Sequence, residues 1–505
     1  MKRRWLLYVG LLSLLVIPAL IPPSTTYDPT QLVAGLVESA TPATKGPLQR
    51  PGSLEIKNVR LAGTEALTSI RIENGRITRI GGEPGSDLPI LDGGGRYVMP
   101  GLFDAHVHLS LAPGAALRSD DAKTSEALRA WHLRAYVASG VTSILDPAVD
   151  DTVAKDVRGK LAQGHVGPRY FALGPPVAAR GGYIDDLFPP GYSDAQQDGV
   201  ASHMDRLVAM AADGVKVPLE PGMLAPIWNV HSPQMLATIR REAEKRKLPI
   251  YVHAINDAMY QLGLPLAPHT FVHPPETISD GTLQRLIDSH AYVMSTLSVY
   301  DVQRFLLTPD EFSDPQGQLT IPPVEMETLR NPAMQRRYLV DMIGENMPFV
   351  KGRYRDLFGI VSATKRGQNM MISALGPRLS ATAKTVVKLH RAGVPIVMGS
   401  DSGNWPVFPF FFHGPTTWRE IRLLERAGLS PEETLRAATL EPARMLGIEN
   451  DQGTISVGKR ADLLLLDADP LKGLGKALPS LHTVVLNGIA HTKEEWMNLP
   501  SSFPK

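Results

Sequence analysis

The sequence predicts an α/β protein, a (β/α)8 TIM barrel carrying a small β-sandwich domain built from both chain ends. Three observations predict it. Through the middle of the chain, short apolar runs alternate with segments of helical spacing, the pattern of parallel β/α units. Near the N-terminal end apolar and polar residues alternate, as half-buried strands require, and strand-like runs recur near the other end. The 505 residues also leave room for an accessory domain beside a barrel of typically ~250 residues.

Composition narrows the classes. With 43% hydrophobic and 20% charged residues the chain is globular rather than disordered. A formal net charge of +1 gives no electrostatic argument for a nucleic-acid partner; none is expected, and the expected partner is a small-molecule substrate. There is no cysteine, which excludes disulfides, thiolate metal sites and thiol catalysis. A metal would therefore be held by His, carboxylate or a modified side chain.

Residues 1–23 have a basic start at Lys2, Arg3 and Arg4, then an apolar run to Ile21 closed by Pro22 and Pro23. That predicts a signal peptide or a short membrane anchor, near the low end of the ~17–25 residues a spanning helix needs. The expected location is outside the cytoplasmic membrane: periplasmic, extracellular or anchored by the N-terminus, its only expected membrane contact. Residues 24–52, rich in Pro, Thr and Gly, read as a linker. In 53–98, the runs 54–60, 69–73 and 76–80 alternate in polarity, and Asn74-Gly75 is a hairpin signal. Residues 445–495 contain further strand-like runs at 453–467 and 481–488, so the two ends are expected to form the composite sandwich.

Residues 99–444 carry the barrel pattern. Its expected strands are 102–109, 141–145, 170–173, 214–217, 250–253, 270–273, 292–296 and 395–400. Helical spacing marks 129–139, 233–247 and 381–392, and 301–377 reads as a largely helical insertion on the C-terminal face.

Chemistry-bearing side chains fall at the ends of these strands, where barrel active sites lie. His106 and His108 alternate on the first strand, so they share a face about 6.5–7 Å apart. Lys216 ends the fourth strand, His253 the fifth and His273 the sixth, and Asp401 follows the eighth. Singly, each has a plainer role: a strand-end His is often a hydrogen-bonded core residue, an Asp a helix cap, a Lys an ion-pair partner. Together, in this order, they read as a set of metal ligands.

Four segments carry a resemblance: Pro100-Gly-Leu-Phe-Asp-Ala-His-Val-His108, Gly399-Ser-Asp-Ser-Gly403, the stretch from Ser430 to Arg444, and the closing stretch from Gly453 to Leu463. On these the chain resembles the amidohydrolase superfamily across nearly all of 53–490, and is most similar to its imidazolonepropionase and prolidase-like branch. The resemblance implies one or two divalent metal ions, most naturally Zn2+. His106, His108 and Asp401 would hold the more buried ion and His253 and His273 the second. Lys216 would carry a CO2-derived carbamate bridging both. The implied mechanism is hydrolytic: the ions acidify a shared water and polarise a carbonyl, while Asp401 moves the proton to the leaving nitrogen. His413, after the eighth strand, is a candidate substrate contact. Arg180 and Tyr183 are candidates to bind a carboxylate or carbonyl, and Tyr183 stands where relatives often have His. The expected function is hydrolysis of C–N bonds in an amide, cyclic amide, acyl-amino acid or dipeptide. Alternatives are attack on an ester, lactone or phosphotriester at the same site, or a non-catalytic barrel that binds or scaffolds.

Overall fold

The computed structural model describes residues 51–499 except 86, 111–121, 186–187, 189–190, 223–225, 302–309, 331–363 and 404–409. Segment 1–23, expected as signal or anchor, lies outside the described residues, as does all but the end of the 24–52 linker. Among the described residues no helix is long and apolar enough to cross a membrane.

The first strands are β1 (Leu54–Leu61), β2 (Leu67–Glu73), β3 (Arg76–Ile80), β4 (Ile90–Asp92) and β5 (Tyr97–Pro100). Eight more follow: β6 (Leu102–Asp104), β7 (Val141–Asp146), β8 (Arg169–Ala172), β9 (Val215–Pro218), β10 (Ile250–His253), β11 (Thr270–Phe271), β12 (Tyr292–Met294) and β13 (Ile396–Val397). The last are β14 (Leu463–Leu466), β15 (Leu481–Leu486) and β16 (Ile489–Thr492). Between them run α1 (Ala122–Ala138), α2 (Asp151–Ala162), α3 (Gln197–Ala209), α4 (Pro233–Lys245), α5 (Asp257–Gly263) and α6 (Asp280–Ser289). Later come α7 (Pro315–Thr320), α8 (Pro323–Arg330), α9 (Lys365–Arg391) and α10 (Pro415–Ala427).

The two chain ends meet, but in one sheet rather than two stacked ones. Its order is β16-β15-β14-β5-β1-β2-β3, with β4 also paired to β1. β14 joins the ends by running antiparallel to β5. The β2–β3 hairpin turns on Asn74 and Gly75, both with positive φ (51° and 73°), as a turn matched to strand twist demands. The sheet then curls. Ile77 donates to the carbonyl of Lys459 and accepts from Gly458, each at 2.8 Å, which returns the β3 edge toward β14. Curling covers the inward face of one twisted sheet. Ile56, Val59, Ile70, Ile72, Val98, Leu463, Leu465 and Val485 form one buried cluster on it.

β6–β13 are the eight expected runs. They form parallel ladders β6-β7-β8 and β9-β10-β11-β12-β13. Backbone hydrogen bonds cross both seams between the ladders: Ala105 N to Met398 O at 3.1 Å, and Asp213 N to Ala172 O at 2.9 Å. The helices start where local chemistry dictates. Ser232 caps α4 by accepting from Met235 N, with Pro233 in the first turn where its missing N–H costs nothing. In the expected insertion the described parts are helical, namely α7, α8 and the start of α9. No boundary falls at 377, because α9 is one helix that runs through Pro377. α7 packs on α1, with Trp131 Nε1 donating to Thr320 O at 2.8 Å.

Candidate metal centre

The register of adjacent parallel strands sets their C-terminal ends side by side. His253 pairs with Pro218 across β10–β9, and Tyr251 with Lys216. β6 stops at Asp104, and the chain stays extended to a bridge between Val107 and Ser402, which flanks Val107 with His106 and His108. Val107 is fully buried in the core, and the two imidazoles turn the other way.

The rings form a continuous row. Centroids lie 5.1 Å apart for His106–His108, 4.8 Å for His106–His273 and 4.5 Å for His253–His273. Asp401 Oδ1 closes the row, 3.3 Å from His106 Nε2 and 3.0 Å from His108 Nε2. Its backbone sits at φ +59°, a left-handed conformation that costs a non-glycine residue energy, and its N–H is held by the carbonyl of His106 at 2.8 Å. All these side chains, with Lys216, are buried.

The donor set fits a divalent cation. Ligand atoms of His106, His273 and Asp401 all lie within 4.8 Å of one another. Two atoms bound to one zinc are at most about 4 Å apart, so a small side-chain adjustment suffices. His106 Nε2 has no hydrogen-bond partner among the described residues despite its burial, an arrangement that is costly unless something binds there. Its Nδ1 faces the carbonyl of Val272 at 3.2 Å; a carbonyl only accepts, so the proton sits on Nδ1 and the Nε2 lone pair is free. His273 turns Nδ1 to Thr296 Oγ1 at 2.8 Å. Burial, Lys216 and neighbouring imidazoles hold His106 well below the usual histidine range. Burial, His253 and Lys216 do the same to His273, so both rings are neutral, as ligation requires. Burial also lowers Lys216 to about 8, against the pull of Asp401 and Asp146, which brings the reactive free amine closer to neutral pH.

The proposed substrate contacts are placed differently. Tyr183 lies beside His253, ring centroids 4.9 Å apart, and also meets Trp228. Arg180 is not brought to the cluster: it is exposed, and its guanidinium bonds Gln196 at 2.9 and 3.2 Å. His413 packs against Tyr136 and His132. It is 2% exposed, with Nδ1 2.7 Å from the Tyr136 hydroxyl. His231, His269 and His390 have structural partners, Val177 O, Met445 O and Glu433.

Sequence reasoning missed several neighbours. Asp146 ends β7 with Oδ1 3.8 Å from His108 Nδ1, and burial raises it to about 7. It occupies the kind of strand-end position that flagged the others. Glu220, two residues past β9, bonds His253 Nε2 at 2.7 Å. Asp104 accepts from Ser400 N at 2.9 Å and Thr417 Oγ1 at 2.6 Å, which ties β6 to the loop bearing Asp401 and to α10.

The family model described as "Amidohydrolase family" matches residues 97–261 and 360–495. The chain is similar to an imidazolonepropionase of Rubrobacter xylanophilus, 58% identical over 43 residues, which are 8% of this chain and 10% of that protein. An allantoinase of Bacillus licheniformis is 29% identical over 161 residues, 29% of this chain and 32% of that protein. The chain thus spans a tenth to about a third of these curated relatives. Among solved structures, a Xaa-Pro dipeptidase with bound methionine aligns at TM-score 0.64 and 20% identity, covering 87% of this chain and all of that one. Phenylurea hydrolase B aligns at TM-score 0.60 and 18% identity, covering 90% and 100%. At such identities the likeness speaks for the fold, an α/β, TIM-barrel-like architecture. The matched segments contain His106, His108, Lys216, His253 and Asp401, and with them on a shared fold the chain belongs to the amidohydrolase family.

Proposed function

We propose that this protein is an exported, metal-dependent hydrolase of C–N bonds acting on an amide, a cyclic amide, an acyl-amino acid or a dipeptide. The observation that carries this reading is the convergence of His106, His273 and Asp401 within 4.8 Å, from three separate strand ends. Names among the relatives, imidazolonepropionase, allantoinase and Xaa-Pro dipeptidase, support the bond type. The reading takes the eight parallel strands as one closed barrel, which the seam hydrogen bonds favour.

His106, His108 and Asp401 would hold one ion and His253 and His273 a second, with Lys216, as its CO2-derived carbamate, between them. Bound there, a divalent ion supplies Lewis acidity and makes water a better nucleophile at neutral pH. Asp401, a carboxylate fixed by its own backbone, takes the proton of the attacking water and delivers it to the leaving nitrogen. Neutral His106 and His273 keep their lone pairs for the cation rather than competing for that proton. Tyr183, against His253, forms one wall for the substrate. Export rests on the segment 1–23, and cell fractionation with an antibody to the body of the chain tests it.

The activity is tested by loading the full chain with Zn2+, Mn2+ or Co2+ and assaying two panels. One holds acyl-amino acids, Xaa-Pro dipeptides and cyclic amides; the other holds esters, lactones and phosphotriesters. Hydrolysis of the first panel, abolished by chelator, supports the proposal. Turnover confined to the second panel rejects the bond type, and turnover of neither favours a binding protein.

A further inference from the structure

Three imidazoles of the row, His106, His253 and His273, each have one nitrogen committed to a neighbour, and one of these rings is turned around. His106 and His273 commit Nδ1, to Val272 O and Thr296 Oγ1, which leaves Nε2 toward the cluster. His253 commits Nε2 instead, at 2.7 Å from Glu220 Oε2. Glu220 is 4% exposed, and its other oxygen, Oε1, accepts no hydrogen bond among the described residues. The backbone fixes this meeting: Leu219 N donates to the carbonyl of His253 at 3.0 Å, which sets Glu220 alongside the ring.

We propose that Glu220 is a positioning residue for the second cation, accepting the Nε2–H of His253 so that Nδ1 faces the ion shared with His273. This rests on the metal-centre reading above. A carboxylate behind a ligating imidazole fixes its tautomer and rotamer and raises its basicity; removing such a partner typically lowers metal affinity about 10- to 100-fold. The sequence offers no pattern for it, since Glu220 stands in an irregular segment after β9 and acts through a residue 33 positions away.

The test titrates metal-free full-length chain with Zn2+ and counts bound equivalents by mass spectrometry, with the visible absorption of a Co2+-loaded sample as a second readout. Wild type is expected to bind two ions. Glu220→Ala should weaken one of them about 10- to 100-fold and leave the other, and Glu220→Gln, which still accepts from Nε2–H, should recover part of the loss. His253→Ala should weaken the same ion, and the double variant should be no weaker than His253→Ala alone. Thermal melts confirm that each variant is folded, and the near-isosteric Gln variant keeps the test open if Ala variants are not. Full-affinity binding of two ions by Glu220→Ala overturns the proposal, as does a double variant weaker than His253→Ala, which would mean Glu220 reaches the ion directly. A wild type that binds one ion also overturns it. A wild type that binds none defeats the metal-centre reading itself, a result distinct from the others.

Discussion

Tyr136 sends its hydroxyl into the turn that carries the proposed proton carrier. It lies 2.6 Å from Ser402 Oγ and 2.7 Å from His413 Nδ1, fully buried. Ser402 follows Asp401, whose φ of +59° persists only if its surroundings enforce it. Tyr136→Phe removes both contacts, leaving His413 Nδ1 without its partner while Ser402 Oγ keeps Ser400 Oγ, and should cost about 1–3 kcal/mol in urea denaturation. An unchanged midpoint would mean the bridge holds nothing in place. Asp401→Asn keeps the side chain's size but cannot accept the proton. It should lower kcat about 100- to 10,000-fold with a melting temperature close to wild type. A kcat within threefold of wild type would assign proton transfer to another group.

Among the elements, strand ends do most of the placing. Gly399, just after β13, is needed for close approach: a Cβ there would sit 2.7 Å from His106 Cβ and 3.1 Å from His106 N. Gly399→Ala must push β6 and β13 apart or shift His106, so Zn2+ affinity measured against a competing chelator should fall about tenfold or more. Retained affinity would show that the two strands give way without moving the ligand. The strands themselves were legible because apolar runs bounded by turn residues carry their own signal, and β6–β13 lie where the pattern put them. Side-chain direction beyond a strand end was not legible: Arg180 turns outward to Gln196 because the loop after β8 aims it there. Nor was Glu220, whose partner is distant in sequence. A single curled sheet in place of a sandwich was hidden for the same reason. Alternation reports that one face is covered, not what covers it.

On the scale of the whole molecule, buried carboxyls shape the response to pH. Glu420 on α10 is fully buried and accepts from Ser295 Oγ, Leu297 N, Ser298 N and Ser298 Oγ at 2.6–2.8 Å. Burial outweighs these donors and pushes it up from 4.5 to about 7. A carboxyl with a raised folded value binds its proton more tightly in the folded chain. Stability from this group is therefore fullest below pH 4.5 and is lost as pH rises to about 7, by on the order of 3 kcal/mol. Glu420→Gln should flatten that part of the stability–pH curve relative to wild type; parallel curves would show Glu420 ionised throughout. The account as a whole turns on side chains from β6, β9, β10, β11 and β13 meeting at one cation site. Its most direct test is equilibrium dialysis of metal-free chain against Zn2+, beside His106→Ala and His273→Ala. Tight binding of one or two equivalents by wild type, with at least one lost in each variant, is the predicted result. Wild type that takes up no zinc, or variants that bind as well as wild type, would contradict it.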